Sequence, residues 1–300
     1  MSERAHLQKL VDDLVALLAV APLSGDRFEG ARIPPGAISG PDRVFGGQVV
    51  AQALAAATAT APEDRPAHSM HGYFLRMGDN AHPIEYQVAR DLDGGTFSNR
   101  RVQAIQGGRP ILSLSASFQR LETGLHHQDA MPQVPGPEGL PSDVEECRKE
   151  LHRYPEALQA TLGSPRPIEL RTVERLRWLD PEPLPPVCHI WWRTPAPIHS
   201  DDPRLHRAVL AYASDLAMLR TAALPHAVSW FSDPMQEASL DHAIWFHDDF
   251  RADRWTLFVT RSTWAGRARG YTTGQMFQDG RLIASMTQEG LIRMLQPQGA

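Results

Sequence analysis

With 300 residues the chain has room for one large domain or two small ones, and 42% hydrophobic with 22% charged residues exclude wholesale disorder. Its 30 basic and 35 acidic residues leave a net charge of −5, which excludes a general electrostatic grip on nucleic acid. Two cysteines, Cys147 and Cys188, are too few for a disulfide framework or a zinc cage and read as reduced thiols of a cytoplasmic protein.

Leu7, Leu10, Val11, Leu14, Val15 and Leu18 recur at helical spacing and predict a docking helix over 6–20. Asp12 and Asp13 inside that pattern make it no secretory leader, and no apolar run approaches the roughly 20 residues of a membrane span. An Ala-rich helix is expected over 49–61, then the segment His68-Ser-Met-His-Gly-Tyr-Phe-Leu-Arg76, then strands around 84–90, 97–106 and 110–119. His126-His127 reads as a polar loop. Residues 131–141 (MPQVPGPEGLP) are too rich in proline and glycine for a helix or a central strand. One helix is expected over 142–162. A second helix over 205–223 leads to Ser239-Leu-Asp-His-Ala-Ile-Trp-Phe-His247, then to strands around 254–263, 267–277 and 281–294. The last four residues, Pro-Gln-Gly-Ala, are no peroxisomal address.

The two sides of the proline-rich segment match each other. His71 corresponds to His242, 171 residues on, and Gly108-Arg109 to Gly280-Arg281, 172 residues on. A period that long indicates duplicated domains rather than a solenoid. The expected division is a first unit over 1–124, a connection with one helix over 125–167, and a second unit over 168–300. Each unit runs from a long helix into an antiparallel meander with short turns at Gly94-Gly95 and Asp279-Gly280. That is the order of a hotdog, a helix wrapped by a curved sheet. The fold expected is α+β, a double hotdog of two tandem repeats.

Three polar residues fall where the pattern wants apolar ones. If Asp215 faces inward on its helix, its neighbours are Ala208, Ala211, Met218, Leu219 and Ala222, and a carboxylate there is costly to bury unless paired. The alternative puts it at the edge of the stripe, solvated. In the last strand Leu282, Ala284, Met286, Gly290, Ile292 and Met294 share a face by the period of two, and Gln288 is its one polar member. It either serves a site or satisfies a bulge beside Gly290. Ser239 opens its strand, where a serine is usually a turn residue. Together an Asp, a hydroxyl and an amide can hold one water for hydrolysis of an activated acyl bond. The first half has His68 in place of Ser239 and Ala116 in place of Gln288. Asp241 and His242, adjacent on a strand, point to opposite faces and cannot share one site from a regular strand. There is no G-x-S-x-G elbow, no phosphate-binding glycine loop and no His/Cys metal cluster.

Seven segments then carry a resemblance: Val-Phe-Gly-Gly-Gln-Val-Val-Ala-Gln-Ala at 44–53, His68 to Asp79, Asp-Gly-Gly-Thr-Phe-Ser-Asn-Arg-Arg-Val-Gln-Ala at 93–104, Leu-His-Arg-Ala-Val-Leu-Ala-Tyr-Ala-Ser-Asp-Leu at 205–216, Ser-Leu-Asp-His at 239–242, Ala-Arg-Gly at 268–270 and Ala-Ser-Met-Thr-Gln-Glu-Gly at 284–290. In this order the chain resembles the acyl-CoA thioesterase II family of double-hotdog enzymes. The resemblance implies hydrolysis of acyl-CoA to free acid and CoA, with no metal or cofactor, by a water that Asp215, Ser239 and Gln288 orient. Thr is common in the family where Ser239 stands; the hydroxyl is kept. The amides of Gly47 and Gln48 are expected at the thioester carbonyl, and Arg267 and Arg269 at the CoA phosphates. Acyl-CoA is the expected partner, with no nucleic acid, and a homo-oligomer in the cytoplasm is expected. Two rival readings are a hydratase or dehydratase on acyl thioesters and a non-catalytic acyl-CoA-binding module.

Overall fold

The computed structural model describes residues 2–32, 43–231 and 234–295, which leaves the C-terminal Pro-Gln-Gly-Ala outside the described residues. Helix α1 (Glu3–Leu18) starts where the Ser2 hydroxyl accepts the Ala5 N–H, and it buries Val11, Leu14, Leu17 and Leu18 as the docking stripe. Strands β1 (Val20–Pro22) and β2 (Arg27–Gly30) follow. Helix α2 (Gly46–Thr60) is buried along most of its length, and its run of alanines lets neighbours approach closely. Strands β3 (Ala67–Phe74), β4 (Glu85–Asp93), β5 (Phe97–Gln106) and β6 (Arg109–Gln119) complete the first half.

The single helix expected over 142–162 is two. Helix α3 (Asp143–Lys149) opens with a Ser142–Glu145 capping box and ends at Glu150. Helix α4 (Glu156–Leu162) starts after Pro155, whose ring carries no N–H to continue a helix. The connection lies along the second half: Gln128 donates to the Gly280 carbonyl, and the Trp191 indole donates to the Pro135 carbonyl. His126 and His127 are exposed within it.

The second half holds β7 (Glu169–Thr172), β8 (Val187–Arg193), α5 (Pro203–Ser214), α6 (Met218–Ala223), β9 (Met235–Ser239), β10 (Asp241–Phe246), β11 (Thr256–Gly266), β12 (Arg269–Gln278) and β13 (Arg281–Met294). All strands join one antiparallel sheet in the order β1-β2-β4-β5-β6-β3-β10-β13-β12-β11-β8-β7, with β9 beside β13. The order reads alike from either end, and β3 against β10 joins the halves. His71 pairs with Ala243 and Gly72 with His242. Residues 171 apart are repeat mates, so these two pairs exchange under a two-fold axis between them. Helices α2 and α5 pack on each other over the sheet, and Tyr86, Phe118, Trp192 and Phe258 are among the large buried side chains. This is a double hotdog. Among the described residues no helix is long and apolar enough to cross a membrane.

Candidate active site

Helix α5 begins at Asp202, whose carboxylate accepts the Arg204 N–H, with Pro203 in the first turn. It ends one residue before Asp215. Asp215 itself has φ −77° and ψ −7°, Ala217 has φ −135°, and α6 resumes at Met218. The continuous helix expected over 205–223 is therefore broken at the carboxylate. The apolar period is still satisfied on both sides, because α6 turns its own buried face, Met218, Leu219 and Ala222, to the sheet. Leu219 lies so close to β13 that a Cβ on Gly290 would sit 2.1 Å from it. The break is thereby pressed against the strand that carries Gln288.

Ser239 ends β9 rather than opening the next strand, and it stands opposite Gly290. Between the Ser239–Gly290 and Ala243–Thr287 pairs, Leu240, Asp241 and His242 oppose only Gln288 and Glu289. This bulge turns both Ser239 and His242 inward although they are three residues apart. Asp241 points elsewhere and accepts the Glu289 N–H at 2.6 Å. His242 Nε2 lies 2.8 Å from Ser214 Oγ, and Ser214 donates to the Ala211 carbonyl. The imidazole therefore donates through Nε2, a tautomer assigned from this network. Burial pushes its pKa down to about 4. Asp241 and His242 do not form a dyad.

Gln288 is fully buried on β13. A second bulge, which leaves Ile283 unpaired between Leu282 and Ala284, takes Leu282 out of phase with the inner face of Ala284, Met286, Gln288 and Gly290. Leu282, expected on that face, is only half-buried, and Met294 is exposed at the strand end.

These elements bring the three expected residues together. Asp215 Oδ1 accepts from Ser239 Oγ at 3.0 Å and from Gln288 Nε2 at 2.6 Å. Burial pushes the carboxyl up to about 6, opposed by the bonds from Gln288, Ser239 and the Gly47 N–H. Gln288 Oε1 has no hydrogen-bond partner among the described residues, although it is buried. An acceptor left so beside a carboxylate is poised for an O–H donor.

The start of α2 meets this carboxylate from the other half of the chain. The Gly47 N–H faces Asp215 and helps to hold its pKa down, while the Gln48 N–H goes to the Phe45 carbonyl at 3.1 Å. Gly46 was not singled out in the sequence, yet it approaches Asp215 more closely than any side chain would allow. The Gly-Gly pair was the signal for it. Arg267 is exposed in the two-residue β11–β12 turn, and Arg269 is ion-paired with Glu289 at 3.1 Å over the Trp264 ring. In the first half, Arg100 and Ala116 pair as Thr272 and Gln288 do in the second. Arg100 is buried against Thr60 and Asp93, so this place is filled by a structural ion pair.

Two protein-family descriptions match the chain: "Acyl-CoA thioesterase N-terminal domain" over residues 34–119 and "Acyl-CoA thioesterase" over residues 166–291. Human "Acyl-coenzyme A thioesterase 8" is 39% identical over 291 residues, covering 94% of this chain and 89% of the relative. "Acyl-CoA thioesterase 2" of Haemophilus influenzae is 41% identical, covering 84% and 88%. The crystal structure of acyl-CoA thioesterase II TesB2 from Mycobacterium marinum superposes with a TM-score of 0.75 at 36% identity, covering 97% and 98%. A hot dog protein of unknown function from Alicyclobacillus acidocaldarius, at 22% identity and TM-score 0.71, shares the fold, with 94% and 98% covered.

Proposed function

The chain belongs to the acyl-CoA thioesterase family, and on that premise we propose that Asp215, Ser239 and Gln288 hold and activate the water that cleaves its substrate. The protein hydrolyses acyl-CoA thioesters to a carboxylic acid and CoA. The observation that carries the assignment is the convergence of donors from two strands on one oxygen of Asp215. With Oδ1 engaged, Asp215 is fixed to take a proton from water, and Gln288 Oε1 is placed to accept the water's other O–H. The water oxygen bonds to the thioester carbon as its proton passes to Asp215. The tetrahedral intermediate then expels the CoA thiolate, which takes that proton, and the carbonyl re-forms as the acid. No step calls on a metal or cofactor.

We read the α2 N-terminus at Gly47 and Gln48 as the positive helix end facing the developing oxyanion. Arg267 is the residue we assign to a CoA phosphate; Arg269 joins it by exchanging Glu289 for phosphate. The division at 1–124, 125–167 and 168–300, a cytoplasmic setting and a homo-oligomer complete this reading. Buried Cys147 and Cys188 suit a reducing compartment.

The test is thiol release from acyl-CoAs between acetyl and palmitoyl, with no added metal, by the native protein and by Asp215→Asn. Native turnover with a chain-length optimum, lost in the variant, supports the assignment. Unchanged turnover in a folded Asp215→Asn protein removes it.

A further inference from the structure

Inward positions of β13 grow more accessible in one direction. Ala284, Met286, Gln288 and Gly290 are buried, Ile292 is half-buried and Met294 is exposed. The site therefore opens toward the end of the sheet where β9 runs beside β13. One step outward from Ser239 on the same face stands Glu237, opposite Ile292. It is half-buried, and among the described residues no hydrogen bond and no cation acts on its carboxyl, only burial and the charge of Asp215. A carboxyl held so costs stability unless a ligand satisfies it.

We propose that Glu237 is a substrate-binding residue whose carboxyl hydrogen-bonds the first amide of the pantetheine arm, the amide nearest the reacting carbonyl. This rests on the water site assigned above. CoA is the large polar end of the substrate and belongs at the open side, while the acyl group takes the buried side. Two residues along a strand span about 7 Å. The amide nitrogen is four bonds from the thioester carbon, about 5 Å in an extended arm. A water held at Ser239 thus puts that amide beside position 237. Burial and the neighbouring charge of Asp215 push Glu237 up to about 8, so near neutral pH it keeps its proton. A protonated carboxyl has one O–H donor and an acceptor oxygen, the complement of an amide C=O and N–H.

The experiment compares hexanoyl-CoA, hexanoyl N-acetylcysteamine, which keeps only that amide, and hexanoyl S-butyl thioester, which lacks it. The native protein should favour the N-acetylcysteamine ester over the S-butyl ester in kcat/KM by about ten-fold or more. Glu237→Val should erase this preference, mainly through KM, with the loss on the N-acetylcysteamine ester exceeding any change on the S-butyl ester by about ten-fold. Glu237→Gln keeps a donor and an acceptor and should retain most of it. No preference in the native protein, or an equal loss on all three esters in Glu237→Val, overturns the proposal. Asp215→Asn is the control: turnover persisting there means that the water site, rather than the role of Glu237, is misassigned.

Discussion

A Cβ atom built on Gly46 would sit 2.7 Å from Oδ2 of Asp215, so the start of α2 touches the carboxylate that the other half of the chain supplies. Gly46→Ala must push that carboxylate off its place. The fold should survive, because the other close atoms belong to the Phe74 ring. The expected result is a loss of about 100-fold in kcat with thermal unfolding little changed. Gly47→Ala should behave differently. Its Cβ would fall 2.5 Å from the Tyr212 backbone carbonyl, so it should lower stability by about 1–3 kcal/mol, read by urea unfolding.

The pH profile should report Asp215. The carboxyl must be ionised to take a proton from water, and its pKa stands near 6. We expect kcat/KM to fall tenfold per pH unit below that value. A profile flat down to pH 4.5 would show that Asp215 is not the base.

Ser239 and Gln288 each hold down the pKa of Asp215 by donating to its ionised form. Ser239→Ala should therefore move the acidic limb to higher pH, as well as lowering kcat by about 10- to 100-fold. Ser239→Thr keeps the donor and should keep the limb in place. Because both bonds act on one oxygen, Ser239→Ala combined with Gln288→Ala should lose less than the two single losses multiplied.

Two buried groups should oppose each other in acid. Asp215 is raised, from 3.8 to about 6, so its burial weakens the fold above pH 6, and the penalty fades as pH falls toward 3.8 because the folded state takes the proton first. His242 is lowered, from 6.5 to about 4, so the stability it contributes is present above 6.5 and is lost as pH falls toward 4. Each is worth up to about 3 kcal/mol. Asp215→Asn removes the first and leaves the second. Between pH 6 and 4 the variant should lose up to about 3 kcal/mol more than the native protein, measured by urea unfolding at each pH.

Much of this was legible in the residues. Alternation and turn glycines marked the strands from β4 to β6 and from β11 to β13 within a few residues. Repeat spacing marked the two halves. What stayed hidden is where regular structure fails. Apolar period alone makes residues 205–223 one helix, since Met218, Leu219 and Ala222 keep step with Ala208 and Ala211. The break at Asp215 is set by its bonds to Ser239, Gln288 and Gly47, all distant in sequence. The bulges at 240–242 and at Ile283 are properties of paired strands, and a single strand's pattern does not show them. Glu237 was readable in principle, because it alternates in phase with Ser239. That phase gained meaning only once Ser239 ended a strand instead of starting one.

The central β3–β10 seam has a consequence for heredity. A dimer of identical single units would carry every mutation twice, once in each symmetry-related pocket. Here the two copies are fused and a lesion strikes one copy only. On the proposed assignment, the half that holds Arg100 gives support at the place where the half that holds Asp215 carries the reacting groups. The halves also meet at the proposed site, since Gly46 from one copy lies against Asp215 of the other. Two separately expressed half-chains would have to find each other before either regained a working pocket.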